Sequence, residues 1–207
     1  DFVTVFIALG FVLNFLAKGK KLKYFGQIML GFGIMMLGMQ MMGNSVAPLR
    51  KYQGFVDFIA TFADNPLIGL LAGTVMTCVV QSSTATIGIL MAMAGQGLIP
   101  LEGAIPVMLG DNVGTCITSV LASLRANRAA KRVAYSHVLY NLIGSIIFII
   151  FMGWFVDFVL YISPEGDIAR QIANSHTAFN LLSTVIFLTI TNQFVAFIEL
   201  LVPGKDV

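Results

Sequence analysis

Two short polar stretches interrupt an otherwise apolar chain, and they hold most of the side chains able to bind a charged solute. The first is Gln81-Ser82-Ser83-Thr84-Ala85-Thr86, with four hydroxyls and one carboxamide. The second is Gly110-Asp111-Asn112-Val113-Gly114-Thr115, followed by Thr118 and Ser119. Hydroxyls and amides donate and accept hydrogen bonds, so either stretch suits an oxyanion or a hard cation. No Arg or Lys stands inside an apolar segment. An anion taken out of water needs both donors and counter-charge. Donors are present, as hydroxyls and as the free amides of any helix N-terminus that a break exposes. Counter-charge is not, so a bound anion must bring its own cations. Sodium fits, because hydroxyls, amide oxygens and carbonyls at an unwound break coordinate it. Burying the two ions together lowers the cost of each, which couples their binding. Asp111 is the one carboxylate deep in a break. It reads either as a sodium ligand or as a satisfied internal cap.

Other chemistries fit less well. Ser82 or Ser83 with His137 or His176 would suggest an intramembrane hydrolase. An activated serine needs one base oriented by a third group, and the G-x-S-x-G elbow is missing. The two histidines belong instead to a repeated string. Ser136-His137-Val138-Leu139-Tyr140-Asn141-Leu142 returns 39 residues later as Ser175-His176-Thr177-Ala178-Phe179-Asn180-Leu181. Each copy places His and Asn one turn apart on one helix face. In lipid such side chains must find partners, so His137, Asn141, His176 and Asn180 are expected to brace helices against the polar stretches. Two histidines are too few for a zinc site. The methionines at 35, 36, 39, 41 and 42 read as adaptable packing.

The elements that position these groups are membrane helices. Of 207 residues, 57% are hydrophobic and 11% charged, against about 25% charged in a soluble domain. That excludes disorder. With a net charge of +2 and no phosphate-loop motif, nucleic acid is not an expected partner. Spans are expected at 2–17 (slightly short), 25–47, 133–155 and 172–190, with an apolar tail at 194–202. The glycines at 26, 31, 33, 38 and 43 suggest close helix contacts. Residues 54–63 read as an amphipathic interfacial helix. Asp64-Asn65-Pro66 then reads as a helix start. Residues 66–97 read as a hairpin broken at Gln81-Ser82-Ser83, and 98–124 as a second segment broken at 110–115. Gly110 and Gly114 are expected to allow unwound backbone there. Short apolar runs with polar interruptions point to sites made of discontinuous helices.

Charge orients the whole as one transmembrane domain, 1–207. The basic runs 18–23 and 125–132 are expected as cytoplasmic loops, with a cytoplasmic C-terminus. Lys18, Lys20, Lys21, Lys23, Arg125, Arg128, Lys131, Arg132 and Lys205 then face the cytoplasm, against Arg50, Lys51 and Arg170 outside. The expected site is a multi-pass inner (plasma) membrane.

These strings, together with Lys131-Arg132, resemble the bacterial branch of the type II sodium/phosphate cotransporter family, from about residue 26 to residue 203. The resemblance implies an all-α inverted-repeat transporter and not an enzyme. In it two Gln-Ser-Ser-Ser motifs on helix hairpins meet at the substrate. It implies phosphate on Gln81, Ser82, Ser83, Thr84, Asn112, Gly114 and Thr115. It implies sodium on Gln81, Ser83, Thr86, Asp111, Asn112 and Thr118, and no organic cofactor. Thr84 replaces the usual third Ser, and Asp111 replaces the usual Ala. One Gln-Ser-Ser motif is present instead of two, which resembles the second half of the family's membrane domain. The chain is therefore expected to be part of a longer protein or a half-transporter that pairs. Its expected partners are phosphate, the lipid bilayer, a second repeat and a PhoU-like cytoplasmic domain. The alternatives are a non-transporting scaffold that serves oligomer assembly, or a symporter for another oxyanion.

Overall fold

The computed structural model describes residues 2–204. Every regular element among them is helical. The chain divides into two compact units, Asp1–Pro48 and Leu49–Val207. Lys205, counted above with the cytoplasmic basic residues, lies outside the described residues.

The first unit is a hairpin of α1 (Phe2–Leu16) and α2 (Lys20–Val46). Lys is a good helix former and Gly19 is the cap, so α2 starts inside the basic run. Lys20, Lys21 and Lys23 are therefore helical, where a loop is expected. Glycines set the contact. A methyl on Gly33 would stand 2.7 Å from Ile7 Cγ1, and one on Gly26 would stand 2.8 Å from Leu13 Cβ. Gly31 and Gly38, expected in the same role, face open space.

The second unit follows a 3-10 turn, Ala47–Lys51. It contains α3 (Gln53–Asp64), α4 (Pro66–Val80), α5 (Ser83–Gly95), α6 (Leu101–Thr115), α7 (Ile117–Ser123), α8 (Arg128–Ile150), α9 (Met152–Tyr161), α10 (Ile168–Thr189) and α11 (Thr191–Leu201). The helix start expected at 64–66 forms. Asn65 Oδ1 accepts from Leu67 N at 3.1 Å, and Pro66 opens the helix, where its missing N–H costs nothing. The chain bends there by 114° between α3 and α4.

At the centre, α4 packs on α6. Gly69, Gly73 and Thr77 recur every four residues on α4 and are buried. They meet Pro106, Val107 and Gly110–Gly114 of α6 at backbone distance. A methyl on Gly73 would run into the Val107 carbonyl, and one on Gly110 would run into the Leu70 carbonyl. The Thr74 hydroxyl donates to Leu70 O at 2.8 Å and lies 3.1 Å from Gly110 O. This contact corrects the expectation of an unwound second break. Residues 110–115 are helical, and α6 runs through them to Thr115. Gly110 and Gly114 are used for their missing side chains and not for backbone freedom. The helical hydrogen-bonding is interrupted only at Cys116, which keeps helical backbone angles and leads directly into the short α7.

The far face of α4 is a second stripe. Leu67, Leu71, Val75 and Val79 lie 54–79% exposed on it. Such a row suits hydrocarbon and not water. Among the described residues, three helices are long and apolar enough to cross a membrane, or up to five if each bent pair is one span. At 15 and 13 residues, α4 and α5 measure about 22 and 20 Å, short of the ~30 Å hydrocarbon core.

Behind α6, Phe148 stacks edge-on with Phe155 and Phe179, with ring centroids 4.6 and 5.3 Å apart. The span expected at 133–155 is divided, because α8 ends at Ile150 and α9 carries Phe155. The second basic run is also partly helical. Asn127 caps α8, so Arg128, Lys131 and Arg132 lie on it. Arg132 caps the end of α11, bonding Val202 O at 3.2 Å and Gly204 O at 2.8 Å.

Gly110→Ala is predicted to destabilise the fold by about 1–3 kcal/mol, because α4 and α6 must move apart. Gly31→Ala should stay within about 0.5 kcal/mol. Thermal melts of both variants in mild detergent check this, and equal melting points would contradict it.

Candidate functional site

The first polar stretch ends one helix and starts the next. Helix α4 stops because Gln81 adopts the left-handed conformation, with φ 55°. It is the only non-glycine residue with positive φ among the described residues. Such a residue costs roughly 1–2 kcal/mol and persists where the surroundings require it. Ser82 is extended and caps α5, its hydroxyl accepting from Ala85 N at 3.3 Å. The amides of Ser83 and Thr84 occupy the first turn, where a helix offers no acceptor. Two residues therefore separate the electronegative end of α4 from the electropositive start of α5.

A cavity of about 160 Å³ lies at this break. Gln81, Ser82, Ser83 and Thr84 line one side, and Gly114, Thr115, Ile117 and Thr118 line the other. The α4–α6 packing brings the two sequence stretches together here. No charged side chain lines the cavity. Its chemistry is hydroxyl, carboxamide and backbone.

Three expected ligands stand elsewhere. Thr86 and Asp111 are fully buried and off the wall. Thr77 joins them, its Oγ1 lying 2.7 Å from Asp111 Oδ1 and 3.0 Å from Thr86 Oγ1. These three residues stitch α4, α5 and α6 together behind the cavity. Asp111 Oδ2 is buried, with no hydrogen-bond partner among the described residues. Asn112 turns back along α6 and donates to Met108 O at 2.9 Å. Thr77 is absent from the sequence-derived site, since it reads there as part of an apolar run. Its signal was the Gly69, Gly73, Thr77 spacing.

The repeated His-Asn pairs lie outside the cavity. His137 Nδ1 is 3.0 Å from Ser119 Oγ of α7. Asn141 donates to Cys116 Sγ at 3.3 Å and to His137 O at 3.0 Å. Ser145, one turn on, donates to Leu109 O at 3.2 Å. Helix α8 thus holds the α6–α7 junction, whose Thr115 and Thr118 line the cavity. In the second copy, Asn180 donates to His176 O at 2.8 Å, and Tyr140 Oη lies 3.4 Å from Asn180 O. That copy links α8 to α10.

The second unit thus combines apolar helices with a hydroxyl-lined cavity at a helix break. Residues 50–186 match the family model described as Na+/Pi-cotransporter. The chain belongs to that family. It is 37% identical over 165 residues to the uncharacterized protein YqeW of Bacillus subtilis (strain 168), covering 80% of this chain and 54% of that protein. It is 26% identical over 148 residues to a protein of Escherichia coli (strain K12) named "Putative inorganic phosphate export protein YjbB", covering 72% of this chain and 27% of that protein. A segment of 60 residues, 29% of this chain and 9% of the relative, is 38% identical to the sodium-dependent phosphate transport protein 2A of Rattus norvegicus. The chain thus spans about half the length of YqeW and about a quarter of YjbB. No solved structure matches it.

Thr77→Val is predicted to cost about 1–3 kcal/mol, because it leaves both Asp111 oxygens unpaired in a dry interior. Thr77→Ser, which keeps the hydroxyl, should recover most of that in a thermal melt. Equal losses in the two variants would show that shape matters there and not hydrogen bonding.

Proposed function

We propose that this chain is part of a sodium-coupled phosphate transporter whose substrate binds at the α4–α5 break. The observation that carries the reading is the convergence at one cavity of the Gln81–Thr84 hydroxyls, the start of α5 and the end of α4. Phosphate oxygens accept from the Ser82, Ser83 and Thr84 hydroxyls, from the Ser83 and Thr84 amides, and from the Gln81 carboxamide. Thr115 adds a hydroxyl from α6, beside the Gly114 backbone that completes that wall. Each bond to a charged acceptor contributes about 1.5–3 kcal/mol, and the start of α5 adds up to about 2.

Those donors carry no formal positive charge, so sodium enters with phosphate as co-substrate. Its ligands are the Gln81 oxygen, the Ser83 and Thr118 hydroxyls and the free carbonyls that end α4. Thr86 and Asp111 act one layer behind, by fixing α5 against α4 and α6. Asn112 reaches the cavity only by releasing Met108 O. His137 and Asn141 brace the cavity's α6–α7 side. Gln81, Thr84 and Thr118 are exposed on the open side. A second repeat, from a longer chain or a second copy, closes that side and makes alternating access possible. The family membership and the names of the relatives support phosphate as cargo, and the rat relative's name supports sodium.

Ser83→Ala is predicted to lower sodium-dependent phosphate flux in proteoliposomes by roughly 10- to 100-fold, the loss of one charge-assisted bond. Membrane insertion and melting should be unchanged. Normal flux in this variant would refute the site.

A further inference from the structure

A second cavity, remote in chemistry from the first, lies beneath α3. It measures about 220 Å³ and has no polar lining. Helix α3 roofs it with Phe55 and Phe58, α4 contributes Met76, and α5 contributes Ile89 and Met93. Val107 of α6 lines it too. An apolar cavity of about 150 Å³ already stays dry and takes up benzene or xenon, so this one favours an apolar guest over water.

The surroundings select the guest. Phe58 is 55% exposed, so the cavity reaches the surface at α3. The neighbouring face of α4 is the exposed Leu67, Leu71, Val75 and Val79 stripe. The cavity is therefore continuous with surface suited to hydrocarbon. Helix α3 is amphipathic, with Ile59 and Phe62 buried and Asp57 turned out to bond Gln53 at 2.8 Å. A helix of this kind lies at the headgroup level. Lys51, exposed at the end of the 3-10 turn, stands four residues before Phe55 in the chain. It supplies a positive charge at the level where a lipid phosphate stands. Methionine and phenylalanine lining tolerates a flexible guest.

We propose that this cavity seats one acyl chain of a membrane phospholipid, whose headgroup phosphate pairs with Lys51. The guest touches α3, both arms of the broken hairpin and α6 at once. It fills the space beneath the hairpin that the protein's own side chains leave open, and so couples hairpin position to the bilayer. This proposal does not depend on the phosphate cavity, which shares none of its lining.

Native mass spectrometry tests it. The protein is reconstituted in phosphatidylglycerol–phosphatidylethanolamine vesicles and then extracted in mild detergent. The expected result is one phospholipid retained in stoichiometric amount. Ala72→Phe, which fills the cavity from α4, should lose that lipid while keeping its helix content and melting behaviour. Met93→Phe fills it from α5 and serves if Ala72→Phe does not fold. Lys51→Gln should weaken retention. Wild-type protein that carries no phospholipid, or folded filler variants that retain it as wild type does, would overturn the proposal.

Discussion

The closeness of α4 to α6 governs everything around it. Gly73 and Gly110 let carbonyls of the opposite helix occupy the space where side chains would stand. With the backbones touching, Thr77 reaches Asp111, and Thr86 of the next helix reaches Thr77. The same approach sets the end of α4 opposite Gly114, Thr115 and Thr118. The cavity is therefore a consequence of a small-residue seam. In a bilayer, where lipid tails are as apolar as leucine, such a seam and its few hydrogen bonds are what hold helices together.

In the proposed reading the break works by electrostatics that need no cationic side chain. Gln81 in the left-handed conformation turns the chain between two helix ends of opposite partial charge. In the proposed reading the anion takes the amides and hydroxyls at the start of α5, and the cation takes the carbonyls at the end of α4. Half a charge cannot balance a phosphate, so neither ion is comfortable there alone. Coupling between them is then a property of the site's composition.

Much of this was legible in the sequence, because polar residues in an apolar run have few explanations. Gln81-Ser82 breaks the hairpin where its residue types suggest, and Asn65-Pro66 starts α4 by a recognisable cap. Glycine was the ambiguous letter. At 110–115 it reads equally as unwound backbone or as a packing notch, and only the facing stripe on α4 decides. The four-residue spacing on both helices was the available signal. Thr84 and Thr86 show a second limit. Two positions apart on a helix, they point to nearly opposite faces, so one lines the cavity and the other is buried. The basic runs carry an expectation of sidedness by composition. They do not mark where helices begin, and α2 and α8 start inside them.

In the proposed reading phosphate and sodium occupy one site and stabilise each other there. Equilibrium binding of phosphate to the folded, lipid-embedded protein tests it most directly, with sodium titrated against choline at constant ionic strength. The account predicts that phosphate affinity rises with sodium, and that sodium affinity rises with phosphate by the same factor, as linkage requires. Phosphate affinity indifferent to the replacement of sodium by choline would contradict it.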